Sequence, residues 1–198
     1  MDDVETEESQ IEETKEQIEQ NVSETTNSEQ SQPEQSEDLP KEITQIEQWT
    51  GLKQTQTIFD SMKGSSTFDS IIKGKEKLIF FIETTDGISI GGFMKKKITK
   101  LNRKTLDPDC FLFTNRNNQW TKYSIKKKNK NDAFQLFSKQ EQKLFTFGND
   151  LTIYKEDMKN KSNVNERDSI FAYGKDKNAL LGKTGTFDIK RIRVIQLE

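Results

Sequence analysis

Four kinds of residue in this chain could carry chemistry: one cysteine, a Gly-Lys-Thr triplet, a scatter of carboxylates, and runs of lysine and arginine. Cys110 is the single thiol, so no intramolecular disulfide can form. A reactive thiol needs solvent and a stabilised thiolate. Cys110 instead leads the apolar run Phe111-Leu112-Phe113, where a small side chain packs well, and it is expected to be an inert core residue. The chain has no histidine, which excludes every Ser-His and Cys-His nucleophile and the common zinc sites. Gly182-Lys183-Thr184 matches the end of a phosphate-binding loop, but such a loop needs a glycine where Lys177 stands, so a turn is expected. Gly91-Gly92 lacks the three-glycine spacing of a dinucleotide site and predicts a bulge or a tight packing point. Glu83, Asp86, Asp107 and Asp109 could meet at one end of a sheet, as a hard-cation site or as acid and base. They lack calcium-loop spacing, and turn chemistry accounts for Asp86 and for Asp107-Pro108-Asp109. Neither metal, cofactor nor catalytic set is expected.

The basic residues are the candidate site. Lys95, Lys96, Lys97, Lys100, Arg103 and Lys104 form one group, Lys126, Lys127, Lys128 and Lys130 a second, and Lys190, Arg191 and Arg193 a third. Runs of this kind are usually solvated surface, yet together they could bind phosphate polyanions, whether nucleic acid or anionic membrane. With neither a major-groove helix motif nor a ribonucleoprotein signature, sequence-specific DNA reading is not expected.

The charge balance gives these groups their setting. The chain of 198 residues has a formal net charge of -2, but residues 1–42 carry 15 acidic side chains against Lys15 and Lys41, while residues 43–198 carry 29 basic against 18 acidic ones. An acidic tail of net charge -13 thus precedes a basic domain of +11, and residues 1–42 are expected to compete for whatever the lysines bind. The tail has six apolar residues and no aromatic, too little to offset the entropy of ordering, so disorder with some helical tendency is expected. No stretch approaches the ~20 apolar residues of a membrane span, and the acidic start lacks a leader pattern, so the expected location is cytoplasmic or nuclear.

Positioning falls to residues 43–198, which hold every aromatic side chain. Ile43, Ile46 and Trp49 share a helical face before Gly51, and Ser65 or Ser66 could cap a short helix over Phe68–Ile72 that ends at Gly74. Leu78-Ile79-Phe80-Phe81-Ile82 is apolar at every position and predicts a central strand covered on both sides. Thr84-Thr85-Asp86-Gly87 turns it into Ile88-Ser89-Ile90. Cys110–Phe113 predicts another central strand, facing Leu78–Ile82 and the closing strand, and Asn115–Asn118 returns it to Trp120–Ile125. A hairpin is expected between Phe134–Phe137 and Leu144–Phe147, with further strands at Leu151–Tyr154, Ile170–Tyr173 and Phe187–Leu197. In the last of these, Phe187 and Ile189 have one parity and Ile192 and Val194 the other, which requires a bulge near Lys190-Arg191. Short strands with few helices indicate a sandwich or barrel.

Ser65-Ser66-Thr67-Phe68, Leu78–Ile82 with Asp86-Gly87 leading to Gly91-Gly92-Phe93, Asp109-Cys110-Phe111-Leu112-Phe113, and Gly185-Thr186-Phe187-Asp188-Ile189 before Ile192-Arg193-Val194 occur in one order. In that order they resemble the TLDc domain, over roughly residues 47–198. Departures include Lys63-Gly64 for the usual His-Gly and Arg193-Val194-Ile195-Gln196 for the usual acidic-then-Trp ending. The resemblance implies a two-sheet antiparallel β-sandwich with peripheral helices, as in oxidation-resistance proteins, some of which engage the vacuolar proton-pumping ATPase. It brings no accepted catalytic residues, so a non-catalytic protein-binding module acting in the oxidative-stress response is expected. The alternative is the polyanion-binding basic domain.

Overall fold

A computed structural model describes residues 41–64, 67–155 and 161–198, so the expected disorder of the acidic tail lies outside the described residues up to position 40. The described residues open with α1 (Lys41–Thr50), the edge strand β1 (Gln54–Asp60), a 3-10 turn and the short α2 (Phe68–Ile72). The antiparallel strands β2 (Leu78–Thr84), β3 (Ser89–Met94), β4 (Lys104–Thr105), β5 (Phe111–Arg116) and β6 (Gln119–Ser124) follow. A 3-10 turn over Lys127–Asp132 leads to β7 (Phe134–Leu136), β8 (Lys143–Phe147), β9 (Leu151–Tyr154), β10 (Asn163–Val164), β11 (Gly185–Thr186) and β12 (Ile189–Leu197). One sheet runs β1-β12-β2-β3-β5-β6 and the other β11-β10-β9-β8-β7-β4, each antiparallel throughout.

β2 shows why an uninterrupted apolar run was needed. Leu78, Phe80 and Ile82 point between the sheets, while Ile79 and Phe81 point to the outer face beneath Ile43 and Ile46 of α1. Both sides are therefore dry. Between the sheets, the Phe80 ring lies 4.8 Å from Phe134, 4.8 Å from Phe145 and 5.6 Å from Phe147, in tilted and edge-on geometries that favour the ring quadrupoles. Burying each such ring contributes about 1.5–3 kcal/mol. On the outer face Trp49 meets Phe111 edge-on at 5.9 Å, which seats α1 on the sheet. Gly51, at φ 69°, ends that helix by donating to the Glu47 carbonyl at 2.8 Å.

Gly91 and Gly92 are a packing point rather than a bulge. A Cβ on Gly91 would meet the Phe80 carbonyl oxygen and lie 2.6 Å from the Phe113 ring, and one on Gly92 would lie 2.5 Å from the Phe147 ring. The register of β3 with β2 and β5 runs through both glycines without a shift.

The bulge expected near Lys190-Arg191 is present. Ile189 pairs with Thr84 and Arg191 with Glu83, which leaves Lys190 without a partner on β2. The strand begins at Ile189 rather than Phe187, because Phe187 still donates its N–H to the Ser162 carbonyl at 2.9 Å, just before β10 of the other sheet. The chain changes sheets between β11 and β12.

Other expectations need correction. Ile170–Tyr173 is not a strand but a single bridge between Phe171 and Ile125. Side chains have taken two of its donors: the Ile170 N–H goes to Asp150 Oδ2 at 3.2 Å and the Phe171 N–H to Ser169 Oγ at 2.9 Å, while the Ala172 N–H still reaches the Ser124 carbonyl at 3.0 Å. Cys110–Phe113 does not face Leu78–Ile82; β5 lies in the same sheet, with β3 between them. Thr67, not Ser65 or Ser66, stands at the N-cap of α2 and makes no side-chain cap there; positions 65 and 66 lie outside the described residues. β1, β4, β10 and β11 were not anticipated.

Candidate functional site

The first basic group follows β3. Its loop is held by Asp107, whose fully buried carboxylate accepts the backbone N–H groups of Lys95 at 2.6 Å and Lys96 at 3.0 Å through Oδ2, and that of Asp109 at 3.0 Å through Oδ1. Asp107 therefore shapes the loop and leaves the lysine side chains to solvent. Lys95 pairs with Asp109 and Lys104 with Asp132, each at 3.0 Å. The Asp107 N–H donates to the Lys130 carbonyl at 2.9 Å, which joins the first group to the second. In that second group Lys126 Nζ donates to the Ser169 carbonyl at 2.6 Å. Lys96, Lys97, Lys100, Arg103, Lys127, Lys128 and Lys130 remain exposed and form no ion pair among the described residues. Two of the three expected groups thus share one basic edge.

The third group stands apart. Met94, just before the first group, pairs with Leu78 at the start of β2, whereas Arg191 pairs with Glu83 near its end. Five residues of strand separate the two positions by about 17 Å. Arg191 grips Asp60 with two hydrogen bonds, Nε to Oδ1 at 3.0 Å and Nη2 to Oδ2 at 2.6 Å. Those bonds hold the Asp60 carboxyl below its ordinary value, against the opposing effect of burial. Arg193 donates to Glu83 at 2.9 Å and lies over the Phe81 ring at 4.7 Å, a cation–π contact on a partly dry face. Both arginines are structural, and only Lys190 of this group points to solvent.

Lys190 instead borders a cleft of about 780 Å³ that reading the sequence missed. Phe59, Phe68, Leu144, Phe187, Ile189 and Ile192 form its apolar floor, and Lys139, Lys155, Lys161 and Lys190 surround it with Asp69 and Asp188. Lys139, Lys155 and Lys161 lie outside the lysine runs, so no run in the sequence marked them. A second cleft, of about 970 Å³, has Lys126, Lys128, Arg167 and Lys177 mixed with Glu166, Asp168 and Asp176, which gives it no dominant sign.

The carboxylates do not converge. Glu83 is taken by Arg193, Asp86 is paired with Lys183 at 2.8 Å, and Asp107 and Asp109 lie at the basic edge. The same Lys183–Asp86 contact makes Gly182-Lys183-Thr184 a tethered turn. Among the described residues no three His, Cys, Asp or Glu side chains cluster in a way that could hold a metal ion. Cys110 is 1% exposed, and burial, aided by the negative charge of Asp107, pushes its thiol up and disfavours the thiolate. Asp150 is also buried, which raises its carboxyl despite hydrogen bonds from Ser169 and the Ile170 N–H. Those bonds pin the 169–171 segment.

No helix among the described residues is long and apolar enough to cross a membrane. No curated protein matches the chain. The family model of the TLDc domain matches residues 28–198.

Proposed function

The chain belongs to the TLDc domain family, and from that premise we propose that it is a non-catalytic binding module that regulates a partner in the oxidative-stress response, the partner being a vacuolar proton-pumping ATPase. Family membership across residues 28–198 is the observation that carries this reading. Two features of the site support it. The lone thiol is sealed in the core, so oxidation would act through a partner rather than on Cys110. The apolar cleft beside Lys190 is bordered by four lysines, a composition suited to recognition. Affinity capture of the full chain from peroxide-treated cells tests the reading. Enrichment of ATPase subunits over background is expected; recovery of none removes the named partner, and a robust hydrolase activity of the pure protein overturns the non-catalytic role.

A second reading, polyanion binding, is favoured by the junction of the first two lysine groups into one edge through Asp107 and Lys130. Binding of the full chain to DNA, RNA and anionic vesicles should then fall steeply with salt and be lost when Lys96, Lys97, Lys127 and Lys128 are all changed to Glu. Equal binding by both proteins would exclude it.

A further inference from the structure

We infer that the cleft beside the β12 bulge binds a short acidic peptide segment of a partner protein, anchored by one large apolar side chain. The inference rests on the domain being a protein-binding module and names the surface and the chemistry of the segment it would take. The floor is where the inter-sheet core reaches the surface: Phe68, Phe187 and Ile192 are 5–7% exposed, whereas Phe80, Phe134 and Phe145 behind them are fully buried. An apolar floor in contact with water favours an apolar occupant.

The rim sets the charge of that occupant. Among the described residues of the rim four lysines face two aspartates, and both aspartates are already engaged: Asp188 by Lys161 at 2.7 Å, and Asp69 by the Lys139 backbone N–H at 3.0 Å. The Lys155 amine donates to the Lys139 carbonyl, while the Lys139 and Lys190 amines have no partner among the described residues. The rim therefore has surplus positive charge at two places, the β7–β8 turn and the β12 bulge. A lipid acid offers a single carboxylate, and charges set at separate points fit a chain bearing several. A nucleic acid would engage the lysines through phosphates and leave the apolar floor unused. A volume of about 780 Å³ suffices for one large side chain and the backbone on either side of it.

The probe is a fluorescein-labelled peptide with two glutamates on each side of a single phenylalanine, titrated into the full chain and followed by anisotropy. Saturable binding is expected. The double variant Lys139→Glu, Lys190→Glu should weaken it by about tenfold or more, while Lys96→Glu with Lys127→Glu on the basic edge should change it less than about twofold. Serine in place of the peptide's phenylalanine should also weaken binding about tenfold. Circular dichroism melts confirm that each variant remains folded. The inference is overturned by no binding at about 1 mM peptide, which is also the result if the chain's own acidic residues hold the cleft. It is equally overturned by the same loss in both double variants, by indifference to the phenylalanine, or by decanoate displacing the peptide at lower concentration than the peptide's own Kd. A failure here with ATPase subunits still captured removes this surface and leaves the binding-module reading in place.

Discussion

Arg191 and Arg193 on β12 and the lysines of the basic edge are all cationic residues in short clusters, yet they end in opposite physical situations. On a strand, successive side chains alternate between faces, so Arg191 and Arg193 share the outer face of the first sheet, where Asp60, Glu83 and Phe81 are waiting. The runs Lys95–Lys97 and Lys126–Lys128 lie on loop and 3-10 backbone, which does not fix such a face, and most of their amines remain in water. A cationic cluster becomes structure when the backbone beneath it imposes a period and supplies counterions. Without these it stays surface.

The strongest way to break that comparison is to strip Asp60 of its charge. Asp60→Asn should leave Arg191 facing a neutral amide on a largely buried face and cost about 2–4 kcal/mol at neutral pH, read as a fall in the urea midpoint. The pH dependence has a definite sign. Because the folded carboxyl lies below its unfolded value, the stability it contributes is present above the unfolded pKa and is lost as pH falls through the folded one. The gap between wild type and Asp60→Asn should therefore narrow in acid, below about pH 4. A gap that stays constant down to pH 2 would show that the pair's charge contributes nothing.

Asp107 tests the other region from beneath. It is the buried acid that shapes the basic edge, and Asp107→Ala leaves three backbone donors without their acceptor. A loss of about 1–3 kcal/mol is expected, together with faster amide exchange at Lys95 and Lys96. Unchanged exchange at those two amides would mean that the loop holds its shape without the carboxylate.

What could be read from the sequence follows the same division. β2 was legible because burial on both sides leaves no polar position, and the β12 bulge because two pairs of apolar residues disagreed in parity. β1 was not, since an edge strand with Gln54, Thr55, Gln56 and Thr57 largely in solvent has no apolar alternation to show. Ile170–Tyr173 was misread because its composition suits a strand, while Asp150 and Ser169 take its donors from outside the segment. At the candidate site the lysine runs were visible but their partners were not: Arg191 meets Asp60 across 131 positions and Arg193 meets Glu83 across 110. The cleft rim was invisible for the same reason, because the fold brings Lys190 together with Lys139, Lys155 and Lys161, which belong to none of the three groups.

Cys110 sharpens the comparison by removing charge from it altogether. The thiol sits immediately before β5, sealed between the sheets with Leu112 and Tyr123 of the same core. Native-state alkylation should be slow, because it requires both an opening of the fold and a thiolate that burial disfavours. Cys110→Ala should cost about 1 kcal/mol through lost packing, and Cys110→Ser more if its hydroxyl finds no acceptor. Rapid alkylation of the folded protein, or lost peroxide protection in a fully folded Cys110→Ala variant, would make the chain a direct thiol sensor.

The smallest effect on stability belongs to the lysines themselves. Lys96→Glu, Lys97→Glu and Lys127→Glu remove exposed charges that have no ion pair among the described residues, so each should shift stability by no more than about 0.5 kcal/mol. The direction is informative even at that size. The described domain is basic, and relieving like-charge repulsion along the edge should make the shifts stabilising at low salt and should erase them near 0.5 M salt, where the screening length falls to about 4 Å. Thermal melts of the three variants at low and high ionic strength measure this directly. A destabilisation that survives high salt would mean that these side chains pack or pair as Arg191 and Arg193 do, and the contrast between the two cationic regions would be lost.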